Sequence, residues 1–298
     1  MAHHEIKKID FRDQISRNKI KSVFLMISVF LIFILLGYVI ALAFELDIFV
    51  ILIFATIISL IYVLITYNFS DKIALASVNA HVADKIKHKH LYDAVENMSL
   101  ASGLPMPRVY VMPGKQINAF ATGKNPEKSV ICVTEGALEK LNKQELEGVI
   151  GHEMSHIANY DIRFVTIVAV MVGAISIFSQ MFLRSLWFRG DSRQGGGNII
   201  FILIAIAMAI LAPIIVKLVQ LAISRKREYA ADAGAVQFTR YPPGLMNALK
   251  KIEKDHEVLS VPSAVAPMFF SKTKKESFIE LFQTHPSVKN RLKALESM

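Results

Sequence analysis

Two long uncharged stretches near the start of the chain restrict its fold more than any other feature. Val23 to Phe44 and Ile48 to Tyr67 contain no charged residue. As a helix, each is long enough to cross a hydrocarbon layer about 30 Å thick. A helix pair buried in a soluble core is the alternative, but two consecutive runs of this length disfavour it. Because 53% of all residues are hydrophobic, the composition also indicates a membrane protein.

The charges around these stretches predict their orientation. Residues 1–22 are rich in Lys and Arg, whereas the connection 45–47 contains neither. Basic segments favour the cytoplasmic side, which predicts a multi-pass protein of the inner (plasma) membrane with the N-terminus, and the region after residue 68, in the cytoplasm. This topology also explains the net charge of +9, because the basic residues lack the aromatic interleaving of a nucleic-acid surface. The lipid bilayer is therefore an expected partner, and a nucleic acid is not.

Two further apolar runs lie in the middle of the chain, from Phe164 to Leu183 and from Ile199 to Val216. Arg184, Arg189 and Arg193 lie between them, on what would be the outer side, against the charge rule. These runs therefore either form a second crossing hairpin or pack against protein. The pattern divides the chain into four parts: a transmembrane hairpin over 1–68, a cytoplasmic region over 69–162, an apolar hairpin over 163–223 and a C-terminal cytoplasmic region over 224–298.

The region after residue 68 mixes helical and β-type patterns. Apolar residues recur at helical spacing over 91–98, and Gly103 is placed to end that helix. Three β-type runs follow, separated by Pro-Gly and Asn-Pro pairs typical of turns; they cover 108–112, 118–123 and 129–133. This order predicts a mainly α-helical protein with a small antiparallel β-sheet. The single cysteine, Cys132, excludes a disulfide framework and is expected in the core.

The stretch Gly151-His152-Glu153-Met154-Ser155-His156 is the strongest chemical signal. Asn142 and Glu145 are spaced as a capping box, and apolar residues at helical spacing continue to residue 157. His152 and His156 therefore lie one turn apart on one helix face, where both can reach one metal ion with Glu153 beside them. This is the H-E-x-x-H signature of zinc hydrolases. A histidine pair buried for structural reasons is the alternative.

A catalytic zinc site needs a third protein ligand beside an open position. Glu228 follows the second pair of apolar runs, and a hairpin of these runs would return the chain to the histidines. Asp232, one helical turn later, could accept the free ring N–H of a ligand histidine and fix its tautomer. Because Arg225 and Arg227 accompany these carboxylates, a solvated charged face is the alternative. The position directly after the hairpin favours the metal site.

The β-type runs directly ahead of the histidine helix suggest how an extended peptide could bind. Strand addition at a sheet edge uses main-chain hydrogen bonds and needs no particular substrate sequence. Asn118, Ala119 and Phe120 are the candidate substrate-binding residues of such an edge strand. Spacing alone supports an ordinary hairpin segment over 118–123 equally well.

Together these motifs resemble the HtpX family of membrane-embedded zinc metallopeptidases, relatives of the CaaX-prenyl proteases. The resemblance extends from the first apolar run to about residue 295. Two departures are visible: Tyr160 stands where the family usually has glycine, and 255–283 offers little to match. The segments that match are 118–123, 151–161, 224–232 and 284–292.

The resemblance implies a zincin-like (gluzincin) catalytic domain that binds one Zn²⁺ per chain. His152, His156 and Glu228 would be the zinc ligands, and Glu153 the catalytic base. His285 would stabilise an oxyanion or gate the open position. Spacing alone favours a capping or packing role for His285, because Pro286 then occupies the first helical position.

The implied function is hydrolysis of peptide bonds in misfolded or damaged membrane proteins at the cytoplasmic face, as quality control under stress. A CaaX-type prenyl-protein protease is one alternative, although four apolar runs are few to enclose a membrane chamber. A non-enzymatic membrane protein with an incidental histidine pair is another. It predicts no stoichiometric zinc, and no charged residue lies within the spans to line a transport path.

Overall fold

The computed structural model describes residues 11–43, 46–169, 225–257, 259, 261, 265, 268–271 and 286–298. Two long helices open this part of the chain, α1 (Phe11–Ala43) and α2 (Ile48–Ser77). By length and composition, both could cross a membrane. Only 6% of the apolar window of α2 is buried, so most of its side chains are free to face lipid. Most of the third predicted apolar run and all of the fourth lie outside the described residues.

Small residues let α1 and α2 approach closely. A Cβ atom added to Gly37 would lie 2.6 Å from the Cβ of Ala55, which is the kind of contact that membrane helices use to associate. The rings of Phe33 and Tyr62 pack with their centres 5.3 Å apart. The two helices therefore form an antiparallel hairpin held by packing rather than by charges.

A four-stranded sheet follows α2, in the order β1-β2-β4-β3. Its strands are β1 (His81–Val82), β2 (Arg108–Met112), β3 (Ala119–Gly123) and β4 (Ser129–Thr134). β1 is antiparallel to β2, and β3 to β4, but β2 and β4 run parallel. The prediction of an antiparallel sheet is therefore wrong, because the sheet is mixed. β4 takes a central position and β3 lies at the edge, although both strands are buried along their whole length, so 113–118 crosses over. Thr134 supports the crossing by donating to the Gln116 carbonyl at 2.6 Å.

Six further α-helices with both ends in the described residues surround the sheet, and α5 is central among them. Together, α5, the sheet and the neighbouring helices enclose a core that includes Val111, Ile150 and Met154. Cys132 lies in a second apolar cluster and is fully buried, as predicted, and burial raises the pKa of its thiol. The helices are α3 (Lys89–Ser102), α4 (Glu135–Lys140), α5 (Lys143–Ala158), α6 (Arg225–Thr239), α7 (Pro242–Lys254) and α8 (Val288–Leu295).

The start of α8 differs from the prediction. Pro286 was expected at the first helical position, but Ser287 is the N-cap, and its side chain accepts a hydrogen bond from the amide of Asn290. The helix therefore begins at Val288. The first-turn amides of a helix lack main-chain partners within the helix, and a serine hydroxyl at the N-cap can accept from one of them. A proline at the N-cap has no such hydroxyl, which favours Ser287 in this place.

Candidate metal centre

The helix that carries the two histidines, α5, is fixed at its start and along one side. Asn142 and Glu145 form the predicted capping box, and Lys251 of α7 lies 2.6 Å from the Glu145 carboxylate. A Cβ at Gly148 would lie 2.6 Å from the main-chain nitrogen of Leu245. The absence of a side chain at this glycine therefore lets the backbone of α7 touch α5.

Helix α6 packs on the same face of α5, further along the helix, through small residues. A Cβ at Gly234 would overlap the hydroxyl of Ser155, and one at Gly151 would lie 3.3 Å from the Cα of Ala235. This close packing brings the first two turns of α6 opposite the histidines. Glu228 and Asp232 both lie on these turns and are buried.

The side chains of His152, His156 and Glu228 converge at this crossing. The two Nε2 atoms lie 3.2 Å apart. The carboxylate oxygens of Glu228 lie 3.8 Å from Nε2 of His152 and 3.6 Å from Nε2 of His156. Ligand atoms about 2.0–2.1 Å from a tetrahedral zinc ion are separated by about 3.3 Å, so this donor set fits one such ion. Within the described part of the chain, this is the group of side chains that could hold a metal.

A carboxylate orients each of the two imidazole rings. Nδ1 of His152 lies 2.9 Å from Oδ1 of Asp232, and Nδ1 of His156 lies 3.1 Å from Oδ2 of Asp161. A ring that donates through Nδ1 keeps the lone pair of Nε2 available for a metal. In the neutral form of each ring, Nε2 then faces the shared position as an acceptor.

A buried arginine holds the Asp232 carboxylate in turn. Nε of Arg291 donates to Oδ2 of Asp232 at 2.9 Å, and its Nη2 donates to Oδ1 at 2.5 Å. Because Arg291 comes from α8, the C-terminal helix is connected to the metal group through one carboxylate. The arginine also lies over the Phe270 ring, at 4.7 Å from its centre.

The electrostatic surroundings of the two histidines differ. Burial, together with the positive charge of Arg291, lowers the pKa of His152 to about 4 despite its bond to Asp232. Burial also acts to lower the pKa of His156, but the hydrogen bond to Asp161 and the charges of Glu228, Asp161 and Glu153 raise it to about 9. The position beside His156 is therefore strongly negative, which suits a cation.

The remaining predicted residues lie close to this group or outside the described residues. Glu153 is next to His152 on α5 and is only 2% exposed. Asn118 exchanges hydrogen bonds with the main chain of Ser271, the Ala119 carbonyl accepts from the Phe270 amide, and Phe120 packs on Phe269. The chain's own segment 269–271 thus occupies the start of the predicted substrate-binding edge. His285 lies outside the described residues.

Sequence patterns did not single out several residues that shape the site. Asp161 and Arg291 entered only as parts of matching motifs, and Asn18 had no signal at all. Tyr160 has a φ of 57°, in the left-handed region that favours glycine. The turn after α5 therefore adopts a backbone conformation in which glycine is the least strained residue.

Comparisons with known proteins found one matching family profile, related sequences and a structural neighbour. The sequence profile of peptidase family M48 matches residues 85–298. A "Protease HtpX homolog" of Caldanaerobacter subterraneus subsp. tengcongensis is 46% identical over 254 residues, which cover 83% of this chain and 84% of the relative. One from Lactobacillus helveticus is 39% identical over 294 residues, covering 96% and 99%. The crystal structure of S. mikatae Ste24p superposes with a TM-score of 0.47 at 19% identity, covering 95% of this chain and 66% of that one.

Proposed function

Because this chain belongs to peptidase family M48, it is a membrane metalloendopeptidase, and we propose that its hydrolytic centre is one zinc ion held by His152, His156 and Glu228. The observation that carries this proposal is the convergence of three ligand side chains, whose two Nε2 atoms and two Glu228 oxygens approach one another at distances between 3.2 and 3.8 Å. Membership in a peptidase family also means that the alternative of a non-enzymatic membrane protein is wrong.

The side chains around the centre have distinct tasks in this proposal. When bound, zinc would polarise the scissile carbonyl and lower the pKa of a water molecule towards about 7. Glu153 would take a proton from the attacking water and pass it to the leaving amine. Asp232 and Asp161 would keep both rings in the Nδ1–H form. His285 would supply a hydrogen bond to the developing oxyanion or gate the open position.

A pair of matched variants tests this assignment. Glu153→Gln should keep one zinc per chain but lower cleavage by about 10²- to 10⁴-fold, because the amide cannot accept the proton. Glu147→Gln is the control, since Glu147 lies on the same helix but bonds to Asn97 at 2.9 Å, away from the histidines. Full proteolysis by Glu153→Gln would sink the assignment, and so would absence of zinc from the wild type.

We further propose that substrates bind as an extended strand along β3. The amide of Thr134 donates to the Asn118 carbonyl at 3.0 Å. In an antiparallel pair, every second residue forms its main-chain hydrogen bonds with the partner strand. Counted from Asn118, the N–H and C=O groups of Ala121 and Gly123 therefore point away from β4. β3 is buried along its whole length, so a peptide would pair there after the groups that cover this edge move aside, while Asn118, Ala119 and Phe120 would shape the end of the edge next to segment 269–271.

A peptide substrate methylated at one backbone nitrogen at a time tests the strand proposal. Alternate positions should lose cleavage, because only every second amide donates to an edge strand, and the interleaved positions serve as controls. Equal rates at all positions would contradict strand pairing.

The substrates we propose are misfolded or damaged membrane proteins, cut at the cytoplasmic face during stress. The same proposal divides the chain into a membrane hairpin over 1–68, catalytic regions over 69–162 and 224–298, and an apolar hairpin over 163–223. It is supported by the position of Asn18, which contacts the metal-site region five residues before the first apolar run, about 7.5 Å along a helix.

Thiol labelling tests the orientation. The native Cys132 is buried, so an exposed cysteine introduced by Lys85→Cys would be the reactive thiol among the described residues. A membrane-impermeant reagent should label it in inside-out vesicles but not in intact cells. The reverse pattern would contradict the cytoplasmic location.

A further inference from the structure

The first membrane helix reaches the surroundings of the metal group through one side chain. Asn18 of α1 is 2% exposed. Its Nδ2 donates to the Asn159 carbonyl at 2.9 Å and to Oδ1 of Asp161 at 2.7 Å. The other oxygen of Asp161, Oδ2, lies 3.1 Å from Nδ1 of His156. We propose that Asn18 is a positioning residue of the metal centre, which holds the Asp161 carboxylate and, through it, the ring of His156.

The contacts of Asn18 are specific for a primary amide. Its Nδ2 carries two hydrogens, and one meets the carbonyl at the end of α5 while the other meets the carboxylate. Asp161 is itself only 2% exposed, so water is a poor substitute for a lost donor. Arg227 is the cation beside this carboxylate, with Nε 3.4 Å from Oδ1. It approaches the same oxygen as Asn18, whereas Nδ1 of His156 lies at the other oxygen, so contacts on both oxygens orient the Asp161 carboxylate.

Neighbouring residues dock the same turns of α1. Nζ of Lys19 lies 4.3 Å from the centre of the Tyr160 ring, and Ser22 is buried one turn after Asn18. The hydroxyl of Ser22 donates to the main-chain carbonyl of Asn18 at 2.9 Å and so stays within its own helix. The end of α5 and the cytoplasmic end of α1 are thus held together, and a shift of α1 along its axis would break the bond to Asp161.

This inference rests on the proposed role of His156 as a metal ligand, and metal affinity tests it independently of proteolysis. Full-length protein in lipid nanodiscs is stripped of metal, and its Zn²⁺ affinity is measured by competition with a chromogenic chelator. The isosteric change Asn18→Leu should weaken Zn²⁺ binding by about tenfold, the lower end of the effect of outer partners of metal ligands. Ser22→Ala, which alters a buried side chain of the same helix, should leave the affinity unchanged.

A double-mutant cycle shows whether Asn18 acts through Asp161. In an Asp161→Ala background, Asn18→Leu should have no further effect on Zn²⁺ affinity, because the group that it positions is gone. Co²⁺ binding gives a second readout: the visible spectrum should change in Asn18→Leu and stay as in the wild type in Ser22→Ala.

Several outcomes would overturn the proposal. Wild-type affinity in Asn18→Leu would do so, and so would equal losses of affinity in the presence and absence of Asp161. If Asn18→Leu does not fold, Asn18→Ala serves in its place, because it removes both hydrogen-bond donors without adding a charge beside Asp161. Wild-type protein that binds no zinc would refute the proposed function instead, which separates the two failures.

Discussion

Replacing Arg291 by Met removes a buried charge whose partners are fully defined. The side chains of Arg291 and Asp232 are 2% and 0% exposed, and two hydrogen bonds join them. Methionine is unbranched and apolar and fills similar space, so the change removes mainly the charge and its donors. Asp232 would then be a buried carboxylate without its cation.

The cost follows from the fate of that carboxylate. Removing one partner of a buried ion pair costs about 3–5 kcal/mol, because the remaining charge is uncompensated. The guanidinium of Arg291 holds the pKa of Asp232 below its usual range although burial acts to raise it, and the loss of the cation would raise that pKa. Helix α8 has eight residues and contributes one fully buried apolar side chain, Leu295, so we expect it to undock before the rest unfolds.

Hydrogen exchange of the amides over 288–295 measures this undocking. Protection in Arg291→Met should fall on the order of 10²- to 10⁴-fold. Lys293→Met is the control, since it removes the same charge from the same helix at an exposed position and should change stability by less than about 0.5 kcal/mol. Adding Asp232→Asn to Arg291→Met should restore part of the protection. Equal exchange in the two single variants, or no recovery in the double variant, would refute the argument from buried charge.

Three further outcomes follow from the same site. In protein stripped of metal, the pKa of His156 is about 9, so its ring holds a proton at pH 7 that metal must displace. Apparent Zn²⁺ affinity should therefore fall by about tenfold for each pH unit below this pKa. Calorimetry in buffers of different ionisation enthalpy should detect the released proton. Gly148→Ala should cost about 1–3 kcal/mol by crowding Leu245, measured as a lower denaturation midpoint; an unchanged midpoint would contradict it. Asn142→Ala should cost about 1 kcal/mol through loss of the α5 cap, by the same measurement.

The elements that the sequence predicted well depend on nearby residues. The start of α5 followed from Asn142 and Glu145, and the end of α3 from Gly103, which has the left-handed φ of 69° expected of a helix end. Caps and helical periodicity involve residues three or four positions apart. The same local spacing put His152 and His156 on one face before any long-range contact was known.

The sheet shows where this kind of prediction stops. Each β-type run was found, but the direction of β2 relative to β4 depends on which strand lies in the centre. Burial does not reveal that order, because β3 and β4 are both buried along their whole length, and the Pro-Gly pair at the start of 113–118 predicts a turn but not that the chain crosses over. The two-residue β1 was too short to leave a pattern.

By itself, the sequence determined the two apolar helices, the histidine helix and the residue types able to hold a metal, because each of these is written in spacing or composition. Only the tertiary structure decided which distant groups support the site. Asn18, Asp161 and Arg291 are far apart along the chain, and loop closure over such distances leaves no local signal. Their roles arise because a buried carboxylate must find donors, and the packing of α1, α6 and α8 around α5 brings those donors to it.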